Sequence, residues 1–268
     1  MTFNHAQLQT LCHIAQAAGQ EIMAVYDQGG EVWQKADASP LTEADLRADA
    51  VIRQGLEAAF PSMFILSEES RSAGHAPTDA FFLVDPLDGT KEFLKRNGEF
   101  TVNIALVNHG VPTAGVVFAP ALGELFYAAQ GLGAWVQTAS GAAQALQVAA
   151  WLPTQPLRVI GSRSHGGDKL AGWLATLNCK HSFVAAGSSL KFCRIAQCQA
   201  DIYPRFGPTS QWDTAAAQCV LVVAGGSVLD LAGGALQYGL QRPILNSEFV
   251  AVGDNDVLAL THFFGKDK

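Results

Sequence analysis

The chain has 268 residues, of which 49% are hydrophobic and only 15% are charged, a composition typical of a globular protein with a substantial core. Its formal net charge of −7 and its pI near 5.4 argue against a nucleic-acid partner or an anionic membrane surface, because both require basic patches. The sequence shows neither a signal peptide nor a run of about eighteen apolar residues, so we expect a cytoplasmic protein without an integral membrane segment. Five cysteines without a CxxC pair fit neither a disulfide framework nor a thiolate zinc site.

Two amphipathic helices are predicted at the start of the chain. Apolar residues recur at helical spacing from about His5 to Tyr26. A second helix follows Thr42, and Thr42 to Asp45 resembles a capping box with Asp in place of the usual Glu. Capping alone accounts for both polar residues. The functional alternative is that Asp45 accepts a proton from water in an active site.

Two apolar strands each end in acidic residues. Phe64 to Leu66 precedes Glu68 and a second glutamate, and Phe81 to Val84 precedes Asp85 and Asp88. Hard cations such as Mg²⁺ take carboxylate, carbonyl, phosphate and water oxygens as ligands, so these acids predict a metal site. The alternatives are a solvated acidic loop after the first strand and a plain Asp-Pro and Asp-Gly turn after the second.

The turn after the second strand is rigid enough to direct both carboxylates to one point. Pro86 fixes its own φ and restricts Asp85 to extended conformations, while Gly89 permits a turn that other residues resist. The Leu87 carbonyl lies in the same turn and offers another oxygen. Thr90 opens a helical stretch whose free N–H groups would favour a bound phosphate.

The rest of the chain predicts a meander followed by an α/β arrangement. Short β segments between Thr101 and Val136 indicate antiparallel strands. Residues 137–156 have weaker periodicity, and we place a domain boundary near their end, with residues 1–155 before it and 156–268 after it. In the second part, Asp213 begins an alanine-rich helix, where a plain N-cap role is the alternative to metal binding.

Several basic side chains of the second part fall at predicted strand ends or helix starts. Such places hold anions in α/β proteins, although ordinary surface cations occur there too. The candidates are Arg163, His165, Lys191 and Arg205.

Three motifs occur in order along the chain: LSEES at 66–70, DPLDGT at 85–90 and QWDTAAA at 211–217. Together they resemble the inositol monophosphatase superfamily of metal-dependent, lithium-sensitive phosphatases. The runs VDPLDGTKEFLKRNGEFTVNIAL, GSSLKFC and YPRFGPTSQWDTAA are similar to its bacterial 3′(2′),5′-bisphosphate nucleotidases. The resemblance covers nearly the whole chain and is weakest at 137–156 and at the C-terminus. It implies a layered α/β/α/β/α sugar-phosphatase fold.

The resemblance also implies the metal ligands. One Mg²⁺ would be held by Glu68, Asp85 and the Leu87 carbonyl, and a second by Asp85, Asp88 and Asp213. A third, weaker ion is an alternative to the two-ion site.

Further roles follow from the same resemblance. Asp45 and Thr90 match the pair that orients and deprotonates the attacking water, which favours the functional interpretation of Asp45 over the capping one. The amides of Gly89 and Thr90 would bind the scissile phosphate. The expected substrate contacts are Glu68, Leu87, Asp88, Gly89, Thr90, Ser162, His165, Gly187, Lys191, Arg205 and Asp213.

The implied activity is Mg²⁺-dependent hydrolysis of the 3′-phosphate of 3′-phosphoadenosine 5′-phosphate to AMP and phosphate, by in-line attack of a metal-activated water. An inositol-1-phosphate or sugar-phosphate phosphatase is the first alternative, because the superfamily shares the metal motifs. A non-catalytic Mg²⁺ or anion sensor is the second. The expected partner is a small phosphorylated nucleotide. Peripheral binding at the cytoplasmic face of the inner membrane and the oligomeric state stay open.

Overall fold

The computed structural model describes residues 3–35, 40–70, 78–139, 141–162, 167–261 and 263. Within these ranges the first half forms three helices and a seven-stranded sheet, together with a two-stranded hairpin of β1 and β2. The elements are α1 (His5–Gln28), β1 (Val32–Gln34), β2 (Pro40–Thr42), α2 (Glu43–Ala59), β3 (Phe64–Ser67), β4 (Ala80–Asp88), α3 (Thr90–Leu94), β5 (Thr101–Asn108), β6 (Val111–Ala119), β7 (Glu124–Ala129), β8 (Gly133–Thr138) and β9 (Gln144–Ala145).

The second half of the described chain forms a five-stranded sheet in the order β11-β10-β12-β14-β13. The elements are β10 (Leu157–Gly161), α4 (Gly167–Thr176), β11 (His181–Ala185), α5 (Leu190–Ala196), β12 (Ile202–Arg205), α6 (Gln211–Val223), β13 (Ser227–Asp230), β14 (Phe249–Val252) and α7 (Asp256–Thr261). None of the helices in the described ranges has the length and apolarity that a bilayer crossing requires.

Strand alternation sends side chains into different layers of the core. On β4, Phe82 and Val84 pack with α1 and α2, whereas Phe81 and Leu83 pack with α5 and α6 on the other face of the sheet. On β14, Phe249 joins the layer of α5 and α6, and Val250 faces the outer layer that includes α7. The layers therefore run α1 and α2, first sheet, α5 and α6, second sheet, then α4 and α7.

Helix α6 packs directly on the first sheet although it belongs to the second half of the chain. Gly115 on β6 makes this close packing possible, because a Cβ there would come within 2.5 Å of the Ala216 carbonyl oxygen of α6. The helix thereby lies against the same sheet that carries Asp85 on β4. The division at residue 155 falls between β9 and β10, but one core cluster spans both sides of it, so that division stays a prediction.

Most predicted elements are present, and a few differ from the expectation. The strand predicted to stop at Val84 continues as β4 to Asp88, with a shift in its pairing to β5 between Asp85 and Asp88. A bulge therefore replaces the predicted turn at Asp85. The sequence reasoning also did not predict the short strands β2 and β9 or α7, a helix of six residues.

Candidate active site

Three acidic residues from separate elements lie together near the C-terminal ends of β3 and β4. Each of Glu68, Asp85 and Asp213 offers a carboxylate oxygen, and these oxygens lie within 4.8 Å of one another. Glu68 follows β3, Asp85 lies at the bulge of β4, and Asp213 occupies the first turn of α6. The docking of α6 on the sheet therefore brings together acids that are far apart in the sequence.

Local hydrogen bonds orient two of these carboxylates. Asp85 Oδ1 accepts the backbone N–H of Leu87 at 3.0 Å, and Asp213 Oδ2 accepts that of Ser210 at 2.8 Å. The second bond belongs to a capping box in which Ser210 is the N-cap of α6 and Asp213 is the third helical residue, so the alternative of Asp213 as the N-cap itself was wrong. Capping and membership of the acidic cluster are therefore compatible roles for Asp213.

The fourth predicted acidic ligand, Asp88, lies against the second half of the chain. Its Oδ2 accepts the Ser188 hydroxyl at 2.7 Å and the Ser189 backbone N–H at 2.7 Å. Gly187 precedes these serines, and a Cβ there would lie 2.6 Å from the Glu99 carbonyl oxygen. The loop thus approaches Asp88 closely only because residue 187 is a glycine.

Burial and mutual repulsion raise the pKa of two members of the acidic cluster, Asp85 and Asp213. The pKa of Asp85 lies well above its ordinary value, first because the carboxyl is buried and then because Glu68, Asp88 and Asp213 carry like charges. Burial and the charge of Asp88 likewise raise the pKa of Asp213. A set of oxygen ligands that repel one another when ionised fits a hard divalent cation, which would offset that repulsion.

Asp45 is buried, and it keeps the capping interaction that its spacing predicts. Its Oδ2 accepts the backbone N–H of Thr42 at 2.7 Å and the Thr42 hydroxyl at 2.6 Å. Burial raises the pKa of Asp45 to about 6, although the bonds from Thr42 lower it in part. In the described ranges no hydrogen bond joins Asp45 to Thr90, whose hydroxyl donates to the Leu87 carbonyl at 3.4 Å.

A cavity of about 280 Å³ adjoins the acidic cluster. Asp45 is not among the described residues that line it, and Arg163 and His165 lie outside the described residues. The predicted residues that line the cavity are Glu68, Asp85, Leu87, Asp88, Gly89, Thr90, Ser162, Gly187, Lys191, Arg205 and Asp213.

Two cations from the second half line the same cavity and are themselves buried. Lys191 Nζ donates to the carbonyls of Ala186 and Ser188. Burial lowers the pKa of Lys191 to about 8, although the charge of Asp88 opposes that shift. Arg205 is fixed within its own loop, where Nε donates to the Gly207 carbonyl at 3.1 Å and Nη2 to the Pro208 carbonyl at 2.7 Å. Both cations are therefore pre-positioned for an anion.

The sequence reasoning missed Lys35, which follows β1. Its Nζ donates to Glu68 at 2.7 Å and to Glu69 at 2.5 Å. Burial alone would lower the pKa of Lys35, but the charge of Glu68 and the two hydrogen bonds raise it above its ordinary value. Burial raises the pKa of Glu69 to about 7. The adjacent glutamates signalled a need for a cation, but nothing in the sequence identified which lysine supplies it.

The fold and this cluster of acids agree with a match to a known family. Residues 4–262 match the model described as the inositol monophosphatase family, so the chain belongs to that family. Its members are metal-dependent and generally use Mg²⁺, consistent with the acidic site described above.

Individual proteins of this family are similar to the chain over nearly its whole length. The 3′(2′),5′-bisphosphate nucleotidase CysQ of Salmonella typhimurium is 48% identical over 246 residues, which cover 90% of this chain and 98% of that protein. The crystal structure of CysQ from Bacteroides thetaiotaomicron has a TM-score of 0.80 and 34% identity, covering 93% of this chain and 98% of that one. The extragenic suppressor protein suhB from Bartonella henselae has a TM-score of 0.81 and 26% identity, covering 98% and 100% of the two chains. The predicted fold class and the predicted family are confirmed.

Proposed function

We propose that this protein is a Mg²⁺-dependent phosphatase that removes the 3′-phosphate from 3′-phosphoadenosine 5′-phosphate and releases AMP and phosphate. The observation that carries the proposal is that one cavity holds both the acidic cluster and two buried cations, Lys191 and Arg205. A substrate with two phosphates needs a second anion site in addition to the metals, whereas a monophosphate does not. The names of the nucleotidase relatives agree with this choice of substrate.

The acidic residues are proposed to hold two Mg²⁺ ions. Glu68, Asp85 and the Leu87 carbonyl would hold one ion, and Asp85, Asp88 and Asp213 the other. When bound, Mg²⁺ would supply positive charge that stabilises the phosphate oxygens and lowers the pKa of water. A third ion remains an alternative.

Residues of the first half are proposed to accept the proton of the attacking water and to bind the scissile phosphate. Asp45 has a pKa raised to about 6, which suits a group that accepts a proton from water near neutral pH. Thr90 would orient that water through its hydroxyl. The N–H groups of Gly89 and Thr90 would donate to the phosphate, and Gly89 reaches the required conformation with a φ of 90°.

The second half is proposed to bind the rest of the nucleotide. Lys191 and Arg205 would hold the 5′-phosphate, with Ser162 and Gly187 beside it. His165 keeps its predicted role as a nucleotide contact. The cytoplasmic location stays a prediction. Contact with the inner membrane and the number of subunits are not part of the proposal.

Phosphate release from 3′-phosphoadenosine 5′-phosphate and from inositol-1-phosphate, measured side by side with Mg²⁺, tests the proposal. The Asp85→Asn variant is the blank, because it removes a ligand proposed to serve both ions. We expect a kcat/KM for the nucleotide at least about tenfold higher and no activity in the blank. Preference for inositol-1-phosphate would refute the nucleotide assignment and keep the metal site. No release from either substrate would favour a non-catalytic Mg²⁺ or anion sensor.

A further inference from the structure

Asp49 is a buried acidic residue that none of the roles above uses. It lies on α2, one helical turn after Asp45, and is 8% exposed. The hydroxyl of Ser67 donates to Asp49 Oδ1 at 2.5 Å, and Ser67 is completely buried. Asp49 does not line the described part of the cavity, and it is not one of the three clustered acids. Its contact is with the residue that directly precedes Glu68.

The position of β3 explains why this contact matters. In the described chain β3 is an edge strand of the first sheet and pairs only with β4. On the β4 side, the N–H of Glu68 donates to the Val84 carbonyl at 3.1 Å. The bond from Ser67 to Asp49 ties the end of β3 to α2, which packs on the face of the sheet toward which Val84, the pairing partner of Ser67, also points. The backbone that carries Glu68 is thus held by β4 through the sheet and by α2 through this side-chain bond.

The chemistry of the pair argues against a purely structural role. A buried carboxyl group loses its hydration and needs hydrogen bonds to offset that cost. An apolar pair of the same size would close the contact between α2 and β3 at lower cost. Unlike an apolar contact, a hydrogen bond is directional. The bond to Asp49 therefore fixes the orientation of Ser67, and with it the direction in which Glu68 leaves the strand.

We propose that Asp49 is a positioning residue that acts through Ser67 to orient Glu68 for Mg²⁺ binding. The inference rests on the proposed function, since it requires that Glu68 bind Mg²⁺. It also makes α2 the common support of Asp45 and of the strand end that presents Glu68, so one helix sets the spacing between both groups.

Mg²⁺ binding to the whole 268-residue chain, measured by titration calorimetry without substrate, tests this proposal. We expect Asp49→Ala and Ser67→Ala each to weaken Mg²⁺ affinity by about tenfold, as loss of a residue supporting a metal ligand typically does. The double variant should be no weaker than either single one, because both remove the same bond. Asp49→Asn keeps an oxygen that accepts from Ser67, so its affinity should stay within about twofold of wild type.

Asp201→Ala is the matched control, since Asp201 is a buried aspartate that accepts bonds from Arg158 and lies apart from the cavity. It should lower the melting temperature and leave the Mg²⁺ affinity unchanged. Unchanged Mg²⁺ affinity in both single variants, independent losses that multiply in the double variant, or an Asp49→Asn affinity as weak as that of Asp49→Ala would overturn the positioning role. If Asp49→Ala does not fold, Ser67→Ala and Asp49→Asn decide the question. Absence of Mg²⁺ binding to the wild type would instead refute the proposed function.

Discussion

The hydroxyl of Ser188 donates a hydrogen bond to Asp88 Oδ2 at 2.7 Å, although the two residues lie 100 positions apart in the chain. Asp88 ends a strand of the first sheet, and Ser188 belongs to the loop before α5. The backbone carbonyl of Ser188 in turn accepts a bond from Lys191. One serine therefore links a proposed metal ligand to a proposed substrate cation, and its substitution should affect both halves of the site.

We expect Ser188→Ala and Ser188→Gly to lower kcat to a similar extent, by about tenfold, because both remove the donor to Asp88. Their stabilities should differ. Ser188 has a φ of 52°, a conformation that costs residues with a Cβ about 1 kcal/mol, so the glycine variant should be the more stable one. Steady-state kinetics and urea unfolding of both variants check this. Equal activity of wild type and both variants would show that Asp88 does not need this bond.

Asp45→Asn should separate catalysis from metal binding. The amide oxygen still accepts from Thr42, so α2 keeps its cap, but the side chain no longer accepts a proton. We expect kcat to fall by about 10²–10⁴-fold while the calorimetric Mg²⁺ affinity stays within about twofold of wild type. Asp201→Asn is the matched control, because Asp201 is a buried aspartate that accepts hydrogen bonds and lies apart from the cavity, and its kcat should stay near that of wild type. Full kcat in Asp45→Asn would remove Asp45 from the catalytic residues.

Metal-free protein should lose stability as the pH rises from acidic to neutral. Folding raises the pKa of Asp45 from 3.8 to about 6 and that of Glu69 from 4.5 to about 7, and it raises those of Asp85 and Asp213. The stabilising contribution of such groups is fully present below their unfolded pKa and is lost as the pH rises through the folded pKa. Urea unfolding in EDTA between about pH 4.5 and pH 7.5 should show the decline.

Excess Mg²⁺ should reduce that decline or reverse it, because the cation binds the deprotonated carboxylates. The metal-free Asp85→Asn variant should show a weaker pH dependence than wild type, since it lacks one of the repelling charges. An identical pH dependence with and without Mg²⁺ would contradict the assignment of these acids to a metal site.

Lys191→Met should weaken recognition of the second phosphate. The variant removes the ammonium group and keeps an unbranched side chain that fills the buried position of Lys191. We expect KM for 3′-phosphoadenosine 5′-phosphate to rise by about tenfold or more, and KM for 3′-AMP to change much less. Lys169→Met is the control, because Lys169 is an exposed lysine paired with Glu248. Equal rises in KM for both substrates would exclude a role in selecting the second phosphate.

The sequence located the acids but not the contacts that hold them. Apolar runs followed by acids indicated the two strands whose C-terminal parts present Glu68 and Asp85, and a helix was predicted to open near Asp213, although it begins at Gln211 with Ser210 as its N-cap. The partner of Asp88 was not predictable from local patterns, because a bond to Ser188 depends on how two sheets pack.

The same limit applies to Lys35 and to the bulge in β4. Pro86 and Gly89 are typical turn residues, and local rules therefore predicted that the strand stops at Val84. Pairing with β5 overrides that preference and carries β4 through to Asp88. Tertiary packing, which no short pattern encodes, decides the details in each case.

Gly115→Ala tests how far the site depends on the docking of α6. A Cβ at position 115 would lie 2.5 Å from the Ala216 carbonyl oxygen and 2.9 Å from Cys219 Cβ, so the helix must move away from the sheet. We expect a loss of about 1–3 kcal/mol in the free energy of unfolding, as overpacking of a core typically costs. The shift should also increase the distance between Asp213 and Asp85 and weaken Mg²⁺ affinity, measured by calorimetry at a temperature where the variant is folded.

Gly172→Ala provides the matched control for this last substitution. Gly172 lies on α4, and a Cβ there meets no atom within 4 Å, so the same chemical change should slightly raise stability through helix propensity. Its Mg²⁺ affinity should equal that of wild type. If Gly115→Ala lowers stability but binds Mg²⁺ as tightly as wild type, the acidic cluster tolerates displacement of α6, and Asp213 is then not held to the sheet by this contact.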